Sequence, residues 1–402
     1  MRRRVRWAVT LILLLSPVSL WGADRVEPGD SLAGGAIGFY QKYISDLRRG
    51  HCQFEPSCSQ YAYDAIQSRG TLVGTALAAD RLIRCNARAR YWYARGEDGR
   101  LLDDPSGEPV ARDNIRVPEW LLPRIAAVAL PESLKQYADF AYSLESDGDC
   151  YRAATEYRRI TFLGGSPDLG YWAGMKSAAC YFRNGQWEEA AAEFEAASTR
   201  AQRPDQRNSA WFAVAAAQFN RHDFKKCSEI LGESHFEWEG ARDSADSIMS
   251  REDWLVLDGL CAMSLGNWVN AQDRFGEAAK DFAASSDEPR LQLLLARARG
   301  GSQIGRKRPN LAAAMSAILP GSGQIYAGRY YDGLRHFMFN ALLISVVYEL
   351  IEDESYPGAY LVAGVALPFY LGNILGAKRA AELSNKDRRS RYVAETIAAT
   401  EE

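Results

Sequence analysis

Through most of the chain apolar side chains recur every three or four residues, the spacing of helices that bury one face. Ala33, Ile37, Tyr40, Ile44 and Leu47 form one stripe, Tyr61, Ala65 and Ile66 begin a second, and Leu77, Ala78 and Leu82 lie on a third. Breaks at His51 to Pro56 and at Arg69-Gly70 separate them. Ser57 or Ser59 stands where an N-cap is needed, and Gly70 where a C-cap glycine fits. A small three-helix module is therefore predicted over 31–90. The periodicity then gives way to Asp-Gly, Asp-Asp-Pro and Ser-Gly-Glu-Pro pieces between 96 and 118, so 91–130 reads as a linker. Over 309–380 it is the polar face that vanishes. Residues 311–327 carry no charge, 337–348 are strongly apolar within a possible run of 334–351, and 357–377 make a 21-residue stretch without charge. About 20 apolar residues span a bilayer, so two or three transmembrane helices are expected there, followed by a charged tail over 381–402.

Between 131 and 305 the pattern repeats itself. With Ala153, Ala190, Cys227 and Ala271 aligned, at spacings of 37, 37 and 44, the small or apolar residues Ala141, Ala178, Ala215 and Gly259 fall twelve positions earlier. Tyr157, Phe194, Leu231 and Phe275 fall four later, Trp187, Phe224 and Trp268 open three of the second helices, and Gly148, Gly185, His222 and Gly266 precede them as turns. Small residues let paired helices approach and aromatics fill the gaps between pairs. The pattern resembles tetratricopeptide repeats with lengthened loops, which implies a surface for an unidentified protein partner. The fold class expected is all-α: a small cysteine-containing module, a helical repeat solenoid and C-terminal transmembrane helices.

Charge sets the expected topology. A basic start, Met1 to Arg6, and an apolar run from Ala8 to Leu15 read as a signal peptide over 1–23, cleaved near Gly22 or Ala23. Arg329 and Arg335 precede the central apolar run, Lys378, Arg379, Lys386, Arg388, Arg389 and Arg391 follow the last, and Glu352, Asp353 and Glu354 lie between. The excess of Lys and Arg places the C-terminus in the cytoplasm. Exported repeats then require an odd number of crossings, so 311–327 is expected to be a third span, with a re-entrant segment as the alternative. The expected location is the bacterial inner membrane, multi-pass, with periplasmic repeats.

Pro320, Gly321, Gly323, Gln324, Tyr326 and Gly328 resemble the Pro-Gly-x-Gly-Gln-x-Tyr-x-Gly motif of small bacterial membrane domains appended to other modules. The glycines permit a tight bend and close helix approach, and Gln324 is expected to hydrogen-bond the backbone exposed there. No strand precedes the motif and no Lys with Ser or Thr follows it, so it is not a phosphate loop.

The most specific residues are Cys52, Phe54, Pro56, Cys58, Ser59 and Tyr61, with Arg84 and Cys85 downstream. With Tyr40 to Ser45 and Gly70 they resemble the core of the YidD family, the membrane protein insertion efficiency factors or haemolytic domain, Cys-x-Phe-x-Pro-Ser/Thr-Cys-Ser-x-Tyr. One departure is that Ala87 to Tyr93 stands where the family carries a His-Pro run. The resemblance implies assistance to membrane-protein insertion beside a YidC-type insertase or the Sec translocon. Arg48, Arg49, Arg81 and Arg84 beside apolar stripes are expected to lie on the lipid bilayer, unless these arginines only solvate a helical domain. Three readings of the cysteines stay open: a disulfide among Cys52, Cys58 and Cys85, a zinc site with His51, and a buried reduced cluster. The five-residue gap between Cys52 and Cys58 is no usual ligand knuckle, and neither metal nor cofactor is expected.

Composition adds exclusions. The 48 Lys and Arg nearly balance 51 Asp and Glu, which gives no electrostatic reason for a nucleic-acid partner. The four histidines fall in no His-Glu-x-x-His, and there is neither a Gly-x-Ser-x-Gly nor a Walker loop, so no enzymatic activity is expected. The alternative function is a structural envelope scaffold in which the cysteine module is only a surface anchor.

Overall fold

A computed structural model of the chain describes residues 52–96, 99–105, 115–123, 125, 128–232, 236, 249–281 and 288–401. The expected signal over 1–23, the first helical stripe, Arg48, Arg49 and His51 lie outside the described residues. What is described is overwhelmingly helical, with fifteen helices and one pair of two-residue strands. Two compact units result, one from 52–105 with 305–388, the other from 115–304 with 389–401.

In the first unit, β1 (Phe54–Glu55) pairs in parallel with β2 (Leu101–Leu102). Helix α1 (Cys58–Arg69) is capped by Ser57, whose hydroxyl accepts the Gln60 N–H at 3.4 Å, as the sequence allowed. Gly70, at φ 78°, closes α1 and starts α2 (Thr71–Arg84). A Cβ on Gly74 would strike the backbone of Ala65 and Ile66, so a glycine is what lets α1 and α2 touch. Residues of the expected linker belong to both units: Tyr93, Leu101 and Asp103 are buried in the first, and Ile115, Val117 and Leu121 in the second.

Helices α12 (Pro309–Ile318), α13 (Ser322–Tyr326), α14 (Tyr330–Glu352) and α15 (Tyr356–Ala398) follow, the described end of α15 beyond Arg388 belonging to the second unit. Helices α14 and α15 are long and apolar enough to cross a membrane by length and composition. The 23 residues of α14 rise about 34 Å at ~1.5 Å each, against a hydrocarbon core of about 30 Å. Leu334, Phe337, Met338, Ile344, Leu361 and Val365 stay exposed on them, an apolar surface that water would oppose. The expected third span is corrected. Helix α12 has ten residues, about 15 Å, and its path breaks at Leu319 to Gly321, where Gly321 takes φ 85°.

A buried polar knot holds that break. Ser316 Oγ accepts from the Gly323 N–H at 3.0 Å and donates to Gln324 Oε1 at 2.9 Å; Gln324 Nε2 donates to Asn373 O at 2.9 Å. Asn373 in turn accepts from the Gly321 N–H at 2.8 Å and donates to Ser316 O at 2.9 Å. A Cβ on Gly323 would overlap Ala312 O. Tyr326 OH accepts the Arg308 N–H at 3.1 Å, Gly328 turns at φ 89°, and Pro320 is half-buried at the end of α12.

The second unit contains α3 (Glu132–Ser146), α4 (Cys150–Leu163), α5 (Pro167–Arg183), α6 (Trp187–Ser198), α7 (Pro204–Asn220), α8 (Phe224–Gly232), α9 (Arg251–Leu265), α10 (Trp268–Asp281) and α11 (Glu288–Gly301), each packed on its successor where both are described. Ala153, Ala190, Cys227 and Ala271 are all buried, as are Tyr157, Phe194, Leu231 and Phe275. The turn residues Gly148, Gly185, His222 and Gly266 all take positive φ, between 64° and 80°. A disulfide joins Cys227 of α8 to Cys261 of α9, a pairing 34 residues apart that the cysteine spacing did not signal.

Candidate functional site

Every motif cysteine and aromatic converges on one buried region of the first unit. Cys52, Phe54, Cys58, Ser59, Tyr61, Arg84 and Cys85 are all at or below 4 % exposure, with Pro56 joined through a cis bond between β1 and α1. The three sulfurs lie within 4.8 Å of one another, Cys52 Sγ 3.5 Å from Cys58 Sγ. Each comes from a different place: the turn before β1, the first residue of α1, and the residue that ends α2. They are the described His/Cys/Asp/Glu group whose donor atoms could hold one metal ion. The Cys52 thiol is pushed down, first by its side-chain contacts with Cys58 and Cys85, while contacts with Cys52 and Cys85 together with burial push Cys58 well up.

Beside the sulfurs runs a buried ionic network. Arg81 and Arg84, expected on the membrane surface, are 0 % and 2 % exposed. That expectation is corrected: α2 is covered on both sides, and the two guanidinium groups face carboxylates rather than lipid headgroups. Arg81 lies over the Phe54 ring at 3.8 Å and the Tyr61 ring at 4.5 Å, pairs with Asp103, and donates to Pro56 O at 2.9 Å. Arg84 donates to Asp80 Oδ2 at 2.6 Å, to Asp103 Oδ2 at 2.9 Å, and to Tyr93 OH. Burial by itself would raise the Asp103 carboxyl, but Arg84, Arg81 and Arg379 override it and hold the group well below the usual carboxylate range. Asp80 is lowered in the same way, chiefly by Arg84 against its own burial. Burial, then Asp103, pushes the Tyr61 phenol up to about 12, so it stays neutral among these charges.

The network is completed from the apolar helices. Arg379 of α15 donates to Tyr61 OH at 2.8 Å and to Asp103 Oδ1 at 3.2 Å. His336 Nε2 of α14 lies 3.2 Å from Asp80 Oδ1. Arg329 pairs with Asp332 at 2.6 Å and donates to Tyr93 OH at 3.3 Å, and Asn86 Nδ2 donates to Asp332 Oδ1 at 3.1 Å. Backbone contact accompanies the charges: a Cβ on Gly372 would strike Ala76 O, and one on Gly376 the Asp80 carboxylate. Two glycines four apart thus let α15 lie directly on α2.

Sequence reasoning named the cysteines, Phe54, Tyr61 and both arginines but missed Asp80, Tyr93, Asp103, Gly372 and Gly376. Two signals were present. Gly372-x-x-x-Gly376 is a small-residue contact motif, and His336, Asn340 and Asn373 are polar groups inside apolar runs, which turn inward to partners. Tyr93 belongs to the segment that departs from the family pattern. Asp103 carried no local signal.

Comparison with known proteins agrees with the motif. The YidD family model, described as "Putative membrane protein insertion efficiency factor", matches residues 30–98. A protein of that description from Clostridium beijerinckii is 56 % identical over 57 residues, 14 % of this chain and 83 % of the relative. One from Moorella thermoacetica is 51 % identical over 63 residues, 16 % and 84 % of the two chains, and one from Corynebacterium efficiens 42 % over 72 residues, 18 % and 69 %. No solved structure matches the chain. Through its buried cysteine and arginine module, the chain belongs to the YidD family.

Proposed function

We propose that this chain assists the insertion or assembly of membrane proteins, with its YidD module held on its own pair of membrane-crossing helices and its repeats docking a protein partner. The family relation supports a role connected with membrane insertion. The observation that carries the reading is the contact of α2 with α15 through Gly372 and Gly376. Helix α2 thereby rests on a helix built to cross the bilayer, and Asp80 and Asp103 meet His336 and Arg379 of the crossing helices themselves. The contacts fall in the first part of α14 and midway along α15, towards the end of its charge-free stretch, and so at the same end of an antiparallel apolar pair, away from the acidic turn of 352–355. A module fixed there sits at the membrane surface, where a segment entering the bilayer passes. A YidC-type insertase or the Sec translocon is the partner that this placement and the family suit best.

The test is depletion of the protein followed by pulse labelling of newly made multi-spanning proteins, with integration read by alkaline extraction and protease protection. Integration is expected to fall and to be restored by the wild-type chain. Undiminished integration would overturn the reading and leave the structural scaffold, in which the module is only an anchor.

A further inference from the structure

We infer that Cys52, Cys58 and Cys85 form a binding site for one thiophilic d10 metal ion, zinc(II) or copper(I), held by three thiolates. The geometry is the first ground. An ion about 2.3 Å from each of three sulfurs holds them about 4 Å apart, and these three lie within 4.8 Å of one another, with Cys52 and Cys58 already at 3.5 Å. Ligands spaced six and twenty-seven residues apart offered no sequence knuckle; the α1–α2 hairpin, closed at Gly70, is what returns Cys85 to the other two. All three side chains are enclosed, at 2–4 % exposure.

The surroundings hold the sulfurs in place. Gln53 Nε2 reaches Cys85 Sγ at 3.9 Å while anchored to Asn86 O at 2.7 Å, the kind of second contact that orients a metal ligand. Cys58 is the first residue of a twelve-residue helix, whose N-terminus favours negative charge. The neighbouring network leans positive, with Arg81, Arg84, Arg329 and Arg379 against Asp80, Asp103 and Asp332. Three thiolates around a divalent zinc carry one net negative charge, and around copper(I) two, which such surroundings accommodate. Soft thiolate donors select these ions over hard cations such as magnesium or calcium. Binding releases the three thiol protons to solvent and involves no change of oxidation state.

The full chain is purified from membranes in detergent without oxygen, and its zinc and copper are counted by elemental mass spectrometry. One equivalent is expected in the wild-type chain, lost in Cys85→Ser and retained in Cys180→Ser, a core cysteine of the second unit. Cobalt(II) substituted into the wild-type chain should give thiolate-to-cobalt charge-transfer absorption, and bound metal should protect all three cysteines from alkylation until a chelator is added. These two readouts need no variant, so a misfolded Cys85→Ser chain does not decide the matter. Wild-type chain that retains neither zinc(II) nor copper(I) after exposure to each alone overturns the site. So does metal unchanged in a folded Cys85→Ser chain, or a mass lowered by two hydrogens that maps to a Cys52–Cys58 disulfide.

Discussion

Asp80 and Asp103 are carboxylates with no exposed side-chain surface, each shared between groups of the YidD module and groups of the apolar helices. Breaking a buried pair from one side leaves the other charge stranded in low dielectric, so Asp80→Asn is expected to destabilise the first unit by about 3–5 kcal/mol. The sign of the pH effect follows from the direction of both shifts. A folded-state carboxyl held below its unfolded value of about 3.9 lends stability that is full above that pH and lost as pH falls through the folded value. Thermal unfolding in detergent should therefore show a midpoint insensitive to these two groups above about pH 5 and falling steeply below about pH 4. The Asp80→Asn chain should start lower and lose less on acidification. An equal acid loss in both would remove Asp80 from the account.

At the scale of elements, two devices shape the first unit. One is the seam between α2 and α15, where Gly372 and Gly376 allow contact that any side chain would block. Gly376→Leu places a branched chain on the Asp80 carboxylate and should separate the two helices, at a cost of about 1–3 kcal/mol or more. Limited proteolysis is then expected to cut within 58–105 while α14 and α15 stay protected in membranes; an unchanged pattern would mean that the module is held elsewhere. The other device is the break between α12 and α13. Unpaired backbone groups at a helix end would be costly in an apolar setting. Ser316 and Asn373 satisfy them from within, so the loop persists without water. The glutamine, expected to bond the backbone of the bend, instead bonds Ser316 Oγ and the main chain of Asn373, 49 residues on in α15.

For the whole molecule, the number of crossings matters most. With α14 and α15 as the only described helices that pass the length and composition test, the proposed topology has two crossings, and the YidD module and the far part of α15 share one side. Export of the module and a cytoplasmic C-terminus cannot then both hold. Reporter fusions after Asp103 and at the C-terminus are expected to give the same compartment, and a fusion within 352–355 the opposite one. Different compartments for the first two would restore an odd number of crossings. The second unit is independent of this outcome in its construction. Its core closes on its own aromatics, as where a Cβ on Gly259 would strike the Phe275 ring, and the disulfide between Cys227 and Cys261 ties two consecutive helices of it.

The sequence by itself determined the helical class, the repeat frame and the long apolar helices. Periodicity and glycine positions are local properties, which is why Ser57, Gly70 and the four repeat turns stand where the pattern placed them. It also carried the family, because the spacing of Cys52, Phe54, Cys58 and Tyr61 is read along the chain. Only the tertiary structure decided what the charged residues do. Arg81 and Arg84 look the same in a sequence whether they meet lipid headgroups or buried carboxylates, since the choice depends on Asp103, Arg379 and His336, up to 298 residues away. The thiol cluster was decided the same way: Cys85 joins the other two because α1 and α2 fold back at Gly70, and contacts made by chain reversal leave no trace in local spacing.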